Sequence, residues 1–244
     1  MKGVLTMNQF IHESAQIGEN VKVGIYAVIH ADVTIGHDAE IGDHVIIFPG
    51  TVIGSKTKIG PHSVIGKQPG SNQRILRKAV AVPSLRIEEG VTVGACVVLY
   101  AGSVIHDGVF IGDHVSIREK VSVGSDSVVG RSVTIEIQTI IGERVLIQTG
   151  SYITGDTIIE NDVFIGPMVS MSNDKYMGDR PYEMKGPHIQ CGARVGNNAT
   201  LLPGVRIGKN AIIGGGTVVT KDVPDDCVVV GNPQRSLPRK KGGE

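Results

Sequence analysis

The chain of 244 residues has no tryptophan, and aromatic residues make up only 4% of it. A core built on large rings is therefore excluded, and the interior has to be filled by aliphatic side chains. There are three cysteines, Cys96, Cys191 and Cys227, with neither metal-ligand nor CxxC spacing. This argues against a zinc ribbon, a redox pair or a disulfide scaffold and fits reduced thiols in a cytoplasmic protein. Lysine plus arginine equals aspartate plus glutamate at 24 each. Zero net charge gives no sign of a polyanion-binding surface, so neither nucleic acid nor membrane is expected as a partner. The one basic run, Arg239-Lys240-Lys241, reads as a solvated tail. No N-terminal apolar run is long enough for a signal peptide or a membrane span.

What the chain does have is a period. From Ile11 to Ile65 every sixth residue is aliphatic, and the register returns from Ile87 to Ile165 and from Ile189 to Val219. Helices repeat near 3.6 residues and half-exposed strands near 2. A sustained period of six marks a parallel β-helix, in which each hexad is one side of a triangular coil of about 18 residues. Gly follows most of the aliphatics, as at Gly18, Gly24, Gly36, Gly42, Gly54 and Gly60, and is expected to permit tight corners. Every third corner often carries another residue: His12, His30, Phe48, then Tyr100, Arg118, Glu136, Thr154 and Ser172, then Leu202 and Thr220. Within each block these stand 18 apart, so they stack along one edge. The two breaks in register leave from that same edge. The expected architecture is one all-β domain over 1–233, about ten coils and roughly 48 Å long at the spacing of neighbouring strands. External loops span 67–85 and 172–188. The stretch from Asp222 to Pro233 drops the hexads and is expected to close the end, leaving 234–244 as a tail.

The repeated [LIV]-G-x4 pattern resembles the hexapeptide acyltransferase superfamily along nearly the full chain. That resemblance implies a left-handed coil and a homotrimer; neither follows from the period. The most specific part is C-terminal: Gly192-Ala193-Arg194, Gly214-Gly215-Gly216, Thr220-Lys221-Asp222-Val223-Pro224 and Gly231-Asn232-Pro233. It looks like the coenzyme A end of the acetyltransferases. By that likeness Ala193, Gly215 and Gly216 would admit the pantetheine arm of acetyl-CoA, and Lys221 and Arg235 would meet its phosphates. On the residues alone, the glycines also serve simply as a corner and the two cations as solvated groups.

The external loop sorts the members of that superfamily. Enzymes that acetylate sugar hydroxyls carry a basic His shortly after the coil matching Ile165-Gly166-Pro167, but no His occurs here before His188. Instead Asn173-Asp174-Lys175-Tyr176 resembles the T-N-D-K-Y loop of nucleotide-sugar N-acetyltransferases, and Ile147-Gln148 resembles a segment preceding their active coil. A hydroxyl needs a positioned base near neutral pH, whereas a neutral amine attacks a thioester without one. The resemblance implies acetyl transfer from acetyl-CoA to the amine of a UDP- or dTDP-linked sugar, in surface polysaccharide or glycan biosynthesis. Glu136 and Asn173 are then the candidate catalytic residues. Arg118, Gln148, Asp174 and Lys175 are candidates for the acceptor, with Gln148 expected in the same groove as Glu136. Arg118 and Glu136 also fit a plain surface ion pair. His106 is a further candidate base, acting from an adjacent subunit. Hydroxyl acetylation and a non-catalytic scaffold remain as alternatives. A zinc-dependent carbonic anhydrase on this fold needs two His five apart, and none are, so no metal is expected.

Overall fold

A computed structural model describes residues 8–238; the basic run at 239–241 lies outside them. Among these residues the regular elements are all β, mostly strands of two residues, one per hexad. They assemble into three parallel sheets in which neighbours are three strands apart in the chain. One sheet of 11 strands runs from Phe10–Ile11 to Val218–Val219, and one of 10 from Gln16–Ile17 to Arg206–Ile207. The third, of 12, runs from Lys22–Val23 to Val228–Val230 and takes on Arg235–Leu237. The prism is a left-handed parallel β-helix.

Register is the hexad made visible. Ile11 pairs with Ile29, Ile29 with Ile47 and Ile47 with Ile65, so each inward aliphatic stacks on its counterpart one coil on. Ile29, Ile47, Ile65, Leu99, Ile117, Ile135 and Ile153 are all completely buried. No aromatic residue is buried among the described residues. Full burial of each such side chain contributes about 1.5–3 kcal/mol. At most inward Ser and Thr positions the hydroxyl donates to a backbone carbonyl, as from Ser103 to Arg118 (2.8 Å) and Ser127 to Gly142 (2.9 Å).

The corner glycines have a different purpose from the one their sequence suggested. The left-handed backbone lies two residues further on, at Asn20, Asp32, His44 and Lys56, all with φ between 57° and 59°. Gly54 itself has an ordinary φ, but a Cβ there would come within 2.4 Å of the carbonyl carbon of Glu88 on the next coil. Gly is needed so that coils can stack at strand spacing.

Both interruptions follow strands of the 11-stranded sheet, Val64–Lys67 and Ser170–Met171, so the two loops project from one edge, as the register required. At the C-terminal end, Arg235–Leu237 folds back antiparallel on Val228–Val230. Residues expected to lie in a tail thus form a strand.

Candidate active site

The edge that releases both loops carries the column Tyr100, Arg118, Glu136, Thr154. Arg118 lies over the Tyr100 ring, 5.1 Å from its centroid. Its strongest partner is one the sequence reading did not single out. Glu119 takes Arg118 Nε at 2.8 Å and Nη2 at 3.0 Å, while Glu136 Oε2 stands 3.6 Å from Nη1. The Glu119 side chain is only 5% exposed, so its charge needs that bidentate partner. The Glu119 hydrogen bonds come first in holding Arg118 more firmly protonated than usual. On the next coil the Tyr152 phenol is pushed upward, chiefly by burial and then by the Glu136 charge, so it stays a proton donor.

The second loop begins at Asn173, whose Nδ2 donates to Gly155 O (3.3 Å) and Asp156 Oδ2 (3.5 Å). The Asp174 carboxylate clamps its own loop, accepting from Tyr176 N (2.9 Å) and Gly178 N (2.7 Å). Lys175 is exposed and sits 5.8 Å from the Tyr176 ring centroid. From the first loop, Arg77 reaches the coil and donates Nη1 to Asp156 Oδ1 at 2.9 Å, with Nη2 on Oδ2. Together these elements wall a groove of about 340 Å³. Arg118, Glu119, Glu136, Tyr152 and Asn173 line it, with Arg77 and Leu76 from the first loop and Met184 from the second. Three residues expected to share a site, Arg118, Glu136 and Asn173, do so.

Gln148 does not join them. It follows Leu146–Ile147 in the 12-stranded sheet, two sides of the coil on from Glu136, and so occupies another corner. His106 and His188 are also elsewhere, in carboxylate pairs beside the 10-stranded sheet: His106 with Glu88 at 3.0 Å and His188 with Glu160 at 2.8 Å. Burial acts first on the Glu160 carboxyl and raises it. The Cys191 amide and His188 outweigh that, so it ends below its ordinary value.

At the C-terminal end, Gly215 and Gly216 are exposed on a corner, and a Cβ on Gly216 would meet nothing within 4 Å. Lys221 and Arg235 are both exposed. Gln234 stands between them in sequence and clamps the Lys221 backbone, accepting from its N–H (3.1 Å) and donating to its carbonyl (3.0 Å). Ala193 is misassigned as a contact. It points into the core with 0% exposure, its N–H donates to Gln190 O (3.1 Å) and its carbonyl accepts from Phe164 N (3.0 Å). As an inward position of the hexad frame, it has nothing left to offer a ligand. Among the described residues, no group of three or more His, Cys, Asp or Glu is arranged for a metal ion.

Models of known families match three stretches. The bacterial transferase hexapeptide model (six repeats) matches residues 14–48 and 186–221, and the hexapeptide repeat of succinyl-transferase matches 120–155. A Staphylococcus aureus (strain Mu50) protein bearing a provisional acetyltransferase name is 46% identical over 59 residues, 24% of this chain and 30% of its own. A galactoside O-acetyltransferase from Lactococcus lactis is 49% identical over 49 residues, 20% of this chain and 24% of its own. The chain thus spans under a third of the length of these curated relatives. The solved UDP-N-acetylglucosamine acyltransferase of Arabidopsis superposes over 94% of this chain and 72% of its own, with a TM-score of 0.66 and 19% identity; that likeness is one of fold. The repeats matched in three separate stretches and the prism they build make this a hexapeptide-repeat β-helix, similar in its repeats to acyltransferases.

Proposed function

We propose that the chain transfers an acetyl group from acetyl-CoA to the amine of a nucleotide-linked amino sugar, working as a homotrimer. The observation that carries this reading is the lining of the groove: carboxylates, guanidinium groups, a phenol and an amide, with no histidine among its described residues. An ammonium group suits a groove in which Glu119, Glu136 and nearby Asp156 outnumber Arg118 and Arg77. Once neutral, the amine attacks the thioester carbonyl. The proton it sheds passes to Glu136 or to the departing thiolate, and no strong base is required. Asn173, an amide at the groove wall, holds the acceptor. The donor lies along the C-terminal coils, where exposed Gly215 and Gly216 let the pantetheine arm approach the backbone and Lys221 and Arg235 meet the phosphates. Similarity to named acetyltransferases supports the acyl-transfer chemistry.

The test is thiol release from acetyl-CoA in the presence of UDP- and dTDP-linked amino sugars and their hydroxyl counterparts. Amino sugars acetylated well and hydroxyl sugars poorly at pH 7 is the expected result. The similarity to a galactoside O-acetyltransferase favours a second reading, transfer to a sugar hydroxyl. Efficient acetylation of an unaminated sugar, lost on replacing one histidine such as His106, selects it.

A further inference from the structure

The first loop, residues 67–85, is anchored at its base and again near its far end. Gln68 exchanges hydrogen bonds with Val82, its Nε2 donating to the carbonyl at 3.0 Å and its Oε1 accepting from the N–H at 3.2 Å. Further out, Arg77 reaches across 79 residues of sequence to grip the Asp156 carboxylate with two nitrogens. This pair is well shielded, the Asp156 side chain being 20% exposed and that of Arg77 33%. It is also bidentate, the arrangement in which a guanidinium fixes a carboxylate rather than merely neighbouring it.

Asp156 has one more contact, and it leads into the groove. Its Oδ2 lies 3.5 Å from Asn173 Nδ2, which also faces the Gly155 carbonyl oxygen at 3.3 Å. Two acceptors on one side of an amide settle which way it is turned: the NH2 faces them, and Oδ1 is left to face away. A carbonyl oxygen presented this way accepts a hydrogen bond from an acceptor amine. An amide turned the other way would present N–H groups to N–H groups.

The geometry points to Asp156, held by Arg77, as a positioning residue that sets the amide of Asn173 so that its oxygen receives the acceptor's N–H. This rests on the proposal that Asn173 serves the acceptor. The long first loop then does more than wall the groove. Through one ion pair it also fixes the polarity of a group at the start of the second loop. Neither Arg77 nor Asp156 need touch the reacting atoms.

The test is steady-state kinetics of the full chain with acetyl-CoA and an amino-sugar nucleotide, on Arg77→Ala, Arg77→Lys, Asp156→Ala, Asn173→Ala and the Asp156→Ala/Asn173→Ala pair. Asp156 has φ 60°, where alanine is less well accommodated, so Arg77→Ala addresses the same link from the loop side without altering that turn. Losing the orientation should lower kcat/KM for the acceptor about 10- to 100-fold, the scale of a misplaced binding group. KM for acetyl-CoA should stay unchanged, and Arg77→Lys should restore part of the loss. Because Asp156 acts through Asn173, the double variant should be no slower than Asn173→Ala alone. Multiplicative losses in the double variant, or Asp156→Ala and Arg77→Ala both as fast as wild type, overturn this inference and leave the proposed function intact. A silent Asn173→Ala, or no amine acetylated by the wild-type chain, overturns the functional reading and this inference with it.

Discussion

Of the three carboxylates around the groove, Glu119 and Asp156 are each held by two guanidinium nitrogens, while Glu136 meets one guanidinium nitrogen at 3.6 Å, on Arg118, and the Tyr152 phenol. Glu136 is therefore the carboxylate best placed to take a proton or orient an amine. Glu136→Ala should lower turnover roughly 10-fold without abolishing it, at or below the low end of what a required general base supplies. Stopped acetyl transfer with intact acetyl-CoA binding would make Glu136 an obligatory base instead. Replacing Lys221 and Arg235 together by Ala should weaken coenzyme binding in calorimetry with little change in melting temperature, since both are exposed. At this scale the sequence was readable in part. The column Arg118, Glu136 and the Asn173 loop could be placed on one edge because the period is strict. Arg77 could not, since nothing local marks a partner 79 residues away across an extruded loop. Glu119 was missed for another reason: adjacency to Arg118 gives no hint that their side chains pair in the buried direction. For Gln148 and Ala193 the resemblance of motif and the register point to different places, and the structure follows the register, with Gln148 on another corner and Ala193 inside.

Each coil is a strand–corner repeat whose glycines meet the backbone of the next coil. Gly54→Ala should therefore destabilise the fold, because its Cβ would press on the Glu88 carbonyl carbon at 2.4 Å, and a backbone atom of a neighbouring coil cannot swing aside. Gly70→Ala, in the first loop with nothing within 4 Å, should leave the melting temperature unchanged. Equal melting temperatures for the two variants would mean that the coils can separate locally. A second prediction concerns acid. Glu160 sits below its ordinary pKa, so the stability it contributes is present above the ordinary carboxylate range and is lost as pH falls from about 4.5 through its lowered value. Glu160→Gln should lower the melting temperature above that window and flatten its dependence on pH within it. An unchanged acid limb would place the linkage in other carboxylates, such as Asp162 beside Arg144. The elements themselves were legible because six-residue spacing has few other meanings. The location of the left-handed residues was only partly so: Asn20 and Asp32 are of types that favour that region, while Lys56 carries no such mark.

Across the whole molecule, almost every strand contact joins one coil to the next, and the sheets form three ladders with no crossing between distant rungs. Such a chain is close to one-dimensional in its energetics. Held at its two ends and drawn out, it should come apart from a terminus one coil at a time rather than all at once. Along most of its length each release frees 18 residues, as from Ile29 to Ile47, or roughly 60 Å of extended chain. Two releases should be longer, because Ile65 meets its partner only at Leu99 and Met171 at Leu201. A single-molecule force trace would then read as a ruler with even gradations and two wide gaps, marking from outside the two places where the chain leaves the prism to build its groove.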